Sequence, residues 1–321
     1  MPQISALEVV ALGELLIDFA CRSVDAGGYP TLAAQPGGAP SNFLATLQAY
    51  GHPTALLGKV GADAFGRLLV DTLRRRGIDT GGVIVDPTVF TTLAFVTLDA
   101  SGNRDFSFAR KPGADTRLCA DEVDLARIDR AKVFHFGSLS LTDEPARTAT
   151  RQAVAHAKAR HKLISFDPNL RLPLWPDADT ARRQIEWGLR QADIVKLSDE
   201  EIDFLWGIDP QAGAQRLLLQ YGVRLVYATL GANGCYFAGR SGCGHVDAPS
   251  GIRVVDTTGA GDIFGGAAMS ELLRLGKSLE ELTLPELAAI VRFACQAASL
   301  STQSSGGLDS IPPEEEVRAS L

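Results

Sequence analysis

Val254-Val255-Asp256-Thr257-Thr258-Gly259-Ala260-Gly261-Asp262-Ile263-Phe264-Gly265-Gly266 decides how this chain is read. A β-branched run enters a turn of small residues, and the turn opens a helical pattern with a carboxylate in its first turn. The first amides of a helix have no intrahelical acceptor, so beside glycine and alanine they form a ready anion site. Asp262 is aimed at the same spot and reads as ionised, with the helix N-terminus expected to lower its pKa. Amides that hold an anion beside a fixed base are what phosphoryl transfer to an alcohol requires. The segment is longer than a bare helix entry, and its acid sits at a fixed offset.

Outward from this turn, strand-like runs alternate with helical ones. Val9–Gly13, Ala55–Val60, Val133–Gly137, Leu163–Asp167, Ile194–Leu197 and Leu225–Leu230 read as strands. Asp63 reads as an N-cap before Phe65, Leu68, Leu69, Thr72 and Leu73 on one face, with Gly77 as the stop. Pro40 suits the first turn of a helix through Phe43, Leu44 and Leu47, closed by Gly51. The rhythm predicts an α/β, Rossmann-like fold: a mainly parallel sheet with helices on both faces. Two stretches break it. Leu15–Gln35 has no helical period, and Thr91–Arg110 reads as a hairpin of Leu93–Leu98 and Phe106–Phe108 around a turn at Asp99–Asn103. They predict a small inserted β lid (15–36 and 89–112) on a core of 1–14, 37–88 and 113–321.

The 321 residues can bury a large core, and 45% apolar with 21% charged residues is ordinary for a globular protein. A net charge of −7 without long like-charge blocks argues against nucleic acid as a partner. No apolar run approaches the roughly 18 residues of a membrane helix, and the early acids Glu8, Glu14 and Asp18 argue against a signal peptide. Five scattered cysteines and no Cys-x-x-Cys pair predict a reduced, cytoplasmic protein.

In open α/β sheets ligands sit beyond the carboxyl ends of the strands, and polar and glycine positions gather there. Asp18 can accept two hydroxyl hydrogen bonds at once. Gly37 and Gly38 let backbone approach a ligand, and Asn42 can both donate to and accept from sugar hydroxyls. Asp167-Pro168-Asn169-Leu170-Arg171 sets a carboxylate, an amide and a guanidinium at a strand end, suited to phosphate and metal-bound water. Ser198-Asp199-Glu200-Glu201 is a capping box, satisfying the first amides of a helix. Thr229-Leu230-Gly231-Ala232-Asn233-Gly234 reads as a glycine hairpin turn. Gly276-Lys277-Ser278 imitates the end of a Walker A loop, but Glu271 stands where its first glycine belongs, and Gly276 reads as a helix C-cap. A dinucleotide fingerprint fails for want of a third glycine at Phe264.

The 254–266 segment resembles the C-terminal signature of the PfkB (ribokinase-like) carbohydrate kinases. Gly37–Asn42 with Gly58-Lys59-Val60-Gly61 resembles their N-terminal one. Gly13–Asp18, Arg110–Asp115 and Asp167–Trp175 are most similar to bacterial fructokinases, ahead of 2-keto-3-deoxygluconate kinases and then nucleoside kinases. The resemblance implies transfer of the γ-phosphoryl of Mg-ATP to a sugar hydroxyl, with fructose the first expectation. Asp262 would be the base, and Gly259, Ala260 and Gly261 the anion hole. Asp18, Gly37, Gly38 and Asn42, with Arg104 or Arg110, would hold the sugar. Asp167, Asn169, Ser198, Glu201, Thr229, Gly231 and Gly234 would serve the nucleotide, Glu201 reaching Mg²⁺ through water. A monovalent cation, K⁺, is expected near Asp256, and a homodimer through the lid. Family members commonly carry Asn where Ser198 stands. A non-catalytic sugar sensor on the same fold is the alternative of a different class, and an intact Asp262 argues against it.

Overall fold

The computed structural model describes residues 7–98 and 104–321. Thirteen strands are described: β1 Val9–Leu12, β2 Leu16–Val24, β3 Pro30–Gly37, β4 Thr54–Gly61, β5 Asp79–Asp86, β6 Leu93–Leu98, β7 Arg104–Ala109, β8 Val133–Gly137, β9 Leu163–Asp167, β10 Ile194–Ser198, β11 Leu225–Thr229, β12 Cys235–Gly239 and β13 Gly242–Val246. The α-helices are α1 Ala39–Ala49, α2 Ala64–Arg75, α3 Leu125–Arg130, α4 Ala146–Ala159, α5 Ala178–Leu189, α6 Asp199–Trp206, α7 Pro210–Arg216, α8 Ala260–Leu275, α9 Leu284–Ser301 and α10 Glu314–Ala319.

Nine strands form the main sheet in the order β13-β12-β11-β10-β9-β8-β1-β4-β5. From β5 to β11 every pairing is parallel; β12 and β13 add an antiparallel edge. The buried strands split their side chains between two cores, because successive residues point to opposite faces. Val9, Ala11, Leu56, Val133 and Ile194 join one core with residues of α1, α2, α8 and α9. Val10, Leu12, Leu57, Phe134 and Val195 join the other with residues of α4, α5, α6 and α7. β1 lies between β4 and β8, so the strand order reverses beside it, the place where open α/β sheets bind ligands.

The Leu15–Gln35 and Thr91–Arg110 stretches form a second, separate sheet, β3-β2-β6-β7. β2 pairs antiparallel with β3 and parallel with β6, and β6 pairs antiparallel with β7. The hairpin turn expected at Asp99–Asn103 lies outside the described residues. Local signals hold where they were chemical: the Asp63 carboxylate accepts from the Phe65 and Gly66 amides, both at 2.9 Å, and Gly276 caps α8 at φ 62.

The β-branched run at Val254 forms no strand: its amides at Val255 and Asp256 donate to the Thr302 carbonyl at 2.7 and 3.0 Å, and both valines are about 60% exposed. Propensity favours a strand, but the amides are spent on the Thr302 carbonyl instead.

Candidate active site

A cavity of about 1050 Å³ runs along the carboxyl ends of the main strands. It is lined by Asp18, Gly38 and Asn42, by Asn169, Arg171, Ser198 and Glu201, by Thr229, Gly231 and Gly234, and by all four residues of Gly259–Asp262. Positions up to 244 residues apart in the chain (18 and 262) thus share one space. Gly37, Arg110, Asp167 and Asp256 are not among the residues that line it.

The first turn of α8 carries the reacting groups. Gly259 is its N-cap in the left-handed region (φ 79), with no side-chain cap. A Cβ there would lie 2.8 Å from the Gly307 Cα, so only glycine fits. Ala260 donates to the Thr257 carbonyl at 3.3 Å. Among the described residues the amides of Gly259, Gly261 and Asp262 have no acceptor, so the unspent donors include the amide of Asp262 itself. α8 packs closely on α1 because Gly266 has no side chain; a Cβ would lie 2.7 Å from the Phe43 carbonyl oxygen. That approach puts Asn42 Nδ2 2.8 Å from Asp262 Oδ2, where it donates.

The Asp262 carboxyl is not lowered by its helix. Burial and the charge of Asp167 raise it to about 7, against the opposing pull of Asn42, Lys196 and Arg171. A helix N-terminus offers a fraction of a charge, and loss of hydration outweighs it here.

Asp256 joins this turn to the C-terminal loop. It accepts from the Thr258 amide at 2.9 Å, the Ser305 hydroxyl at 3.0 Å and the Gly306 amide at 3.2 Å. Burial raises its pKa, but these hydrogen bonds prevail and hold it below the usual carboxylate range.

Below the anion site lies a charged group that the sequence reading missed. Lys196, on β10, places Nζ 2.7 Å from Asp167 Oδ2. Asp167 Oδ1 also accepts from the Asn169 amide at 3.1 Å, with Asn169 at φ 45. A lysine within Ile194-Val195-Lys196-Leu197 was the visible signal, since a cation in a buried strand requires a partner. Glu201 accepts from the Leu170 amide through Oε1 and from the Ser198 amide through Oε2, both at 2.8 Å, while Ser198 Oγ accepts from the Glu201 amide. Both carboxylate oxygens are therefore engaged, and the capping box is real. Burial and the Asp167 charge raise the Glu201 carboxyl.

On the lid side, the Asp18 carboxylate has no hydrogen-bond partner among the described residues, and burial raises it to about 6 against the pull of Arg171. Gly37 is glycine because a Cβ would run into the Asp18 carboxylate; Gly38, at φ 112, because one would lie 2.5 Å from the Glu14 carbonyl oxygen. Glu14, also missed, accepts the Ala39 amide through Oε1 at 3.0 Å. Its Oε2 has no partner among the described residues, and burial raises the carboxyl to about 7.

Arg110 departs from expectation. Its guanidinium is buried and donates to Asp115 (Nε, 2.8 Å), the Thr142 hydroxyl and the Leu139 carbonyl (both 2.8 Å), so it braces the cavity wall. Arg104 begins β7, and its side chain falls outside the described residues. Lys59 is likewise structural, bound to Glu122 and the Arg117 carbonyl. Among the described residues no group of three or more His, Cys, Asp or Glu side chains is placed to hold a metal ion. No helix among them is long and apolar enough to cross a membrane.

Residues 6–314 match the pfkB family of carbohydrate kinases. The chain belongs to that family. It is 42% identical to fructokinase-1 of Zea mays over 312 residues, 96% of each chain, and 41% identical to fructokinase-1 of Oryza sativa subsp. japonica over the same share. A fructokinase of Xylella fastidiosa, solved with bound ATP, superposes with a TM-score of 0.88 at 30% identity, covering 97% of both chains. A double mutant of the Vibrio cholerae O395 fructokinase, solved with fructose, ADP and potassium ion, superposes with a TM-score of 0.85 at 29% identity over 98% of both. This pfkB chain is a carbohydrate kinase with fructokinase relatives along its whole length, and ATP binding follows from the family.

Proposed function

We propose that this kinase transfers the γ-phosphoryl of ATP to a hydroxyl of fructose, with Asp262 as general base. The observation that carries the reading is Asp262, bonded to Asn42 and standing in a helix turn whose Gly259, Gly261 and Asp262 amides are unspent.

The acceptor lies against Asp18, Gly38 and Asn42, beneath a lid formed by 15–36 and 89–112. Asp18 offers an acceptor to sugar hydroxyls, and Gly37 makes room for it. Fructose, rather than 2-keto-3-deoxygluconate, is the first acceptor because the relatives along the whole chain are fructokinases. As the acceptor oxygen bonds to phosphorus, its proton passes to Asp262, and ADP leaves with the electrons of the broken bond. The Gly259, Gly261 and Asp262 amides donate to the phosphoryl oxygens in transit, and one such donor is typically worth about 2.7–4 kcal/mol. Transfer is loose, so positioning matters more than base strength. The nucleotide runs past Thr229, Gly231 and Gly234.

Mg²⁺ fits the site only through water: the Glu201 oxygens are filled by amides, and Asp167 is paired with Lys196. When bound, it neutralises the nucleotide's phosphate charge. Asp256 remains ionised beside the Ser305 hydroxyl, and a carboxylate with a hydroxyl oxygen at its side suits K⁺.

ADP release measured with Mg-ATP and K⁺ over fructose, 2-keto-3-deoxygluconate, ribose, glucose, adenosine and no sugar tests the reading. Turnover with fructose, lost in Asp262→Ala, is expected. Turnover with another acceptor would move the substrate, and binding of sugar without any ADP release would mark a sensor.

A further inference from the structure

We infer that Arg22 and Gln35 are positioning residues for phosphoryl transfer: from the lid, they fix the catalytic turn through the Ser305 hydroxyl. The inference rests on the kinase reading above and adds to it a physical link between the sugar side and the phosphoryl side of the cavity.

Asp18, the acceptor offered to the sugar, lies on β2 directly opposite Gln35 on β3. Cross-strand partners project from the same face of a sheet, so Gln35 moves with Asp18. Further along β2 the register shifts between Cys21 and Ser23, which leaves Arg22 as an extra residue without a partner on β3. Such a bulge re-aims a side chain. Arg22 Nη1 donates to Ser305 Oγ at 3.0 Å, and Gln35 Nε2 donates to the same oxygen at 3.4 Å.

The hydroxyl passes the connection on. Ser305 Oγ donates to Asp256 Oδ2 at 3.0 Å, and the Gly306 amide donates to that oxygen at 3.2 Å. A serine hydroxyl has one proton and two lone pairs, and here all three are spent. Asp256 Oδ1 in turn accepts the amide of Thr258, the residue immediately before Gly259. The backbone follows the same route. Gly306 is at φ 93, and a Cβ there would lie 2.9 Å from Gln35 Nε2; one at Gly307 would lie 2.6 Å from Asn42 Nδ2. The 305–307 loop thus touches the lid on one side and the amide that holds Asp262 on the other. Asp18 is raised first by burial, and the charge of Asp256 adds to it, so the sugar and phosphoryl sides also sense each other through charge.

These bonds join the lid to the core, so whatever seats the lid also orders the turn. Coupling of this kind is reciprocal: a nucleotide that orders the turn favours the seated lid to the same extent. A sugar under the lid readies the 259–262 turn for the transferred group. Without nucleotide, the energy of the lid bonds is spent on ordering that turn, so their effect appears only when both ligands are present.

The experiment titrates sugar into wild type, Arg22→Ala/Gln35→Ala and Ser305→Ala, each alone and saturated with the Mg²⁺ complex of AMP-PNP, a non-transferring ATP analogue. The probe is fructose, or whichever sugar of the panel is turned over. In wild type the analogue is expected to tighten sugar binding at least about fivefold. The lid double variant leaves the Ser305–Asp256 bond in place, and both of its substitutions lie outside the core. Its tightening should shrink to within about twofold, while sugar binding to the protein alone stays within about threefold of wild type. Ser305→Ala should lose the tightening as well, and adding it to the lid double variant should change the tightening no further, because all three side chains act through one oxygen. A lid double variant that keeps the wild-type tightening would reduce Arg22 and Gln35 to surface contacts and overturn the inference, as would a wild type that shows none. Wild-type protein that turns over no sugar in the panel would overturn the kinase reading itself, before any titration is compared.

Discussion

Asn42 Nδ2 donates to Asp262 Oδ2 at 2.8 Å, tying the first turn of α1 to the first turn of α8 across 220 residues of sequence. The bond favours the charged carboxylate and fixes its rotamer, so one amide both positions the base and keeps it basic at lower pH.

Asn42→Ala removes that bond. We expect kcat to fall roughly 10–100-fold and the rising limb of the pH–rate profile to move to higher pH, since one of the influences lowering the Asp262 carboxyl is gone. A pH–kcat series on both proteins checks it; an unmoved limb would detach Asn42 from the base.

Asp262, raised to about 7, gives the wild type a kcat/KM that climbs through that pH and levels above it. Its effect on stability has the opposite slope. The folded protein holds the proton more tightly than the unfolded chain, so between about pH 4 and 7 stability falls as pH rises. Asp262→Asn should therefore abolish turnover and raise Tm by roughly 2–5 °C at pH 8, with the gain vanishing near pH 4. Thermal melts at the two pH values decide this.

The two glycines of the turn should fail differently. Gly259→Ala meets both a left-handed backbone and the Gly307 Cα at 2.8 Å, and should lose about 1–3 kcal/mol of stability along with activity. Gly261→Ala meets only the tip of Lys196, so melting should change little while kcat drops. Equal melting losses in both variants would contradict this.

Asp18 and Arg110 should separate binding from bracing. Asp18→Asn should raise the sugar KM at least about tenfold without lowering Tm, because no described residue bonds to the carboxylate and its burial is costly. Arg110→Ala leaves Asp115 buried and unpaired, which should cost about 3–5 kcal/mol of stability. Denaturant melts and sugar titrations distinguish the two.

The parallel sheet was legible because each central strand is a short apolar run bounded by turns, with burial on both faces. So was the gathering of Asp18, Gly38, Asn42 and the 259–262 turn on one cavity, since strand-end positions share an edge. What escaped depends on distant partners. Val254 and Val255 have strand chemistry, but the Val255 amide goes to the distant Thr302 carbonyl. Arg110 looked like a sugar contact until Asp115, Thr142 and the Leu139 carbonyl took its donors. Lys196 has meaning only beside Asp167 and Gly261, and the Asp262 pKa depends on how deeply α8 is buried. No local pattern encodes either.

The contact of Gly307 with Gly259 and Asn42 has a consequence for synthesis. Asn42 emerges from the ribosome well before Gly307, β1 must wait for β8 before gaining its second neighbour, and the loop that closes over the 257–262 turn is translated after the turn itself. A nascent chain thus holds one wall of the catalytic pocket for most of its elongation. A chain that stalls before Gly307 therefore lacks the contact that closes the turn carrying Asp262.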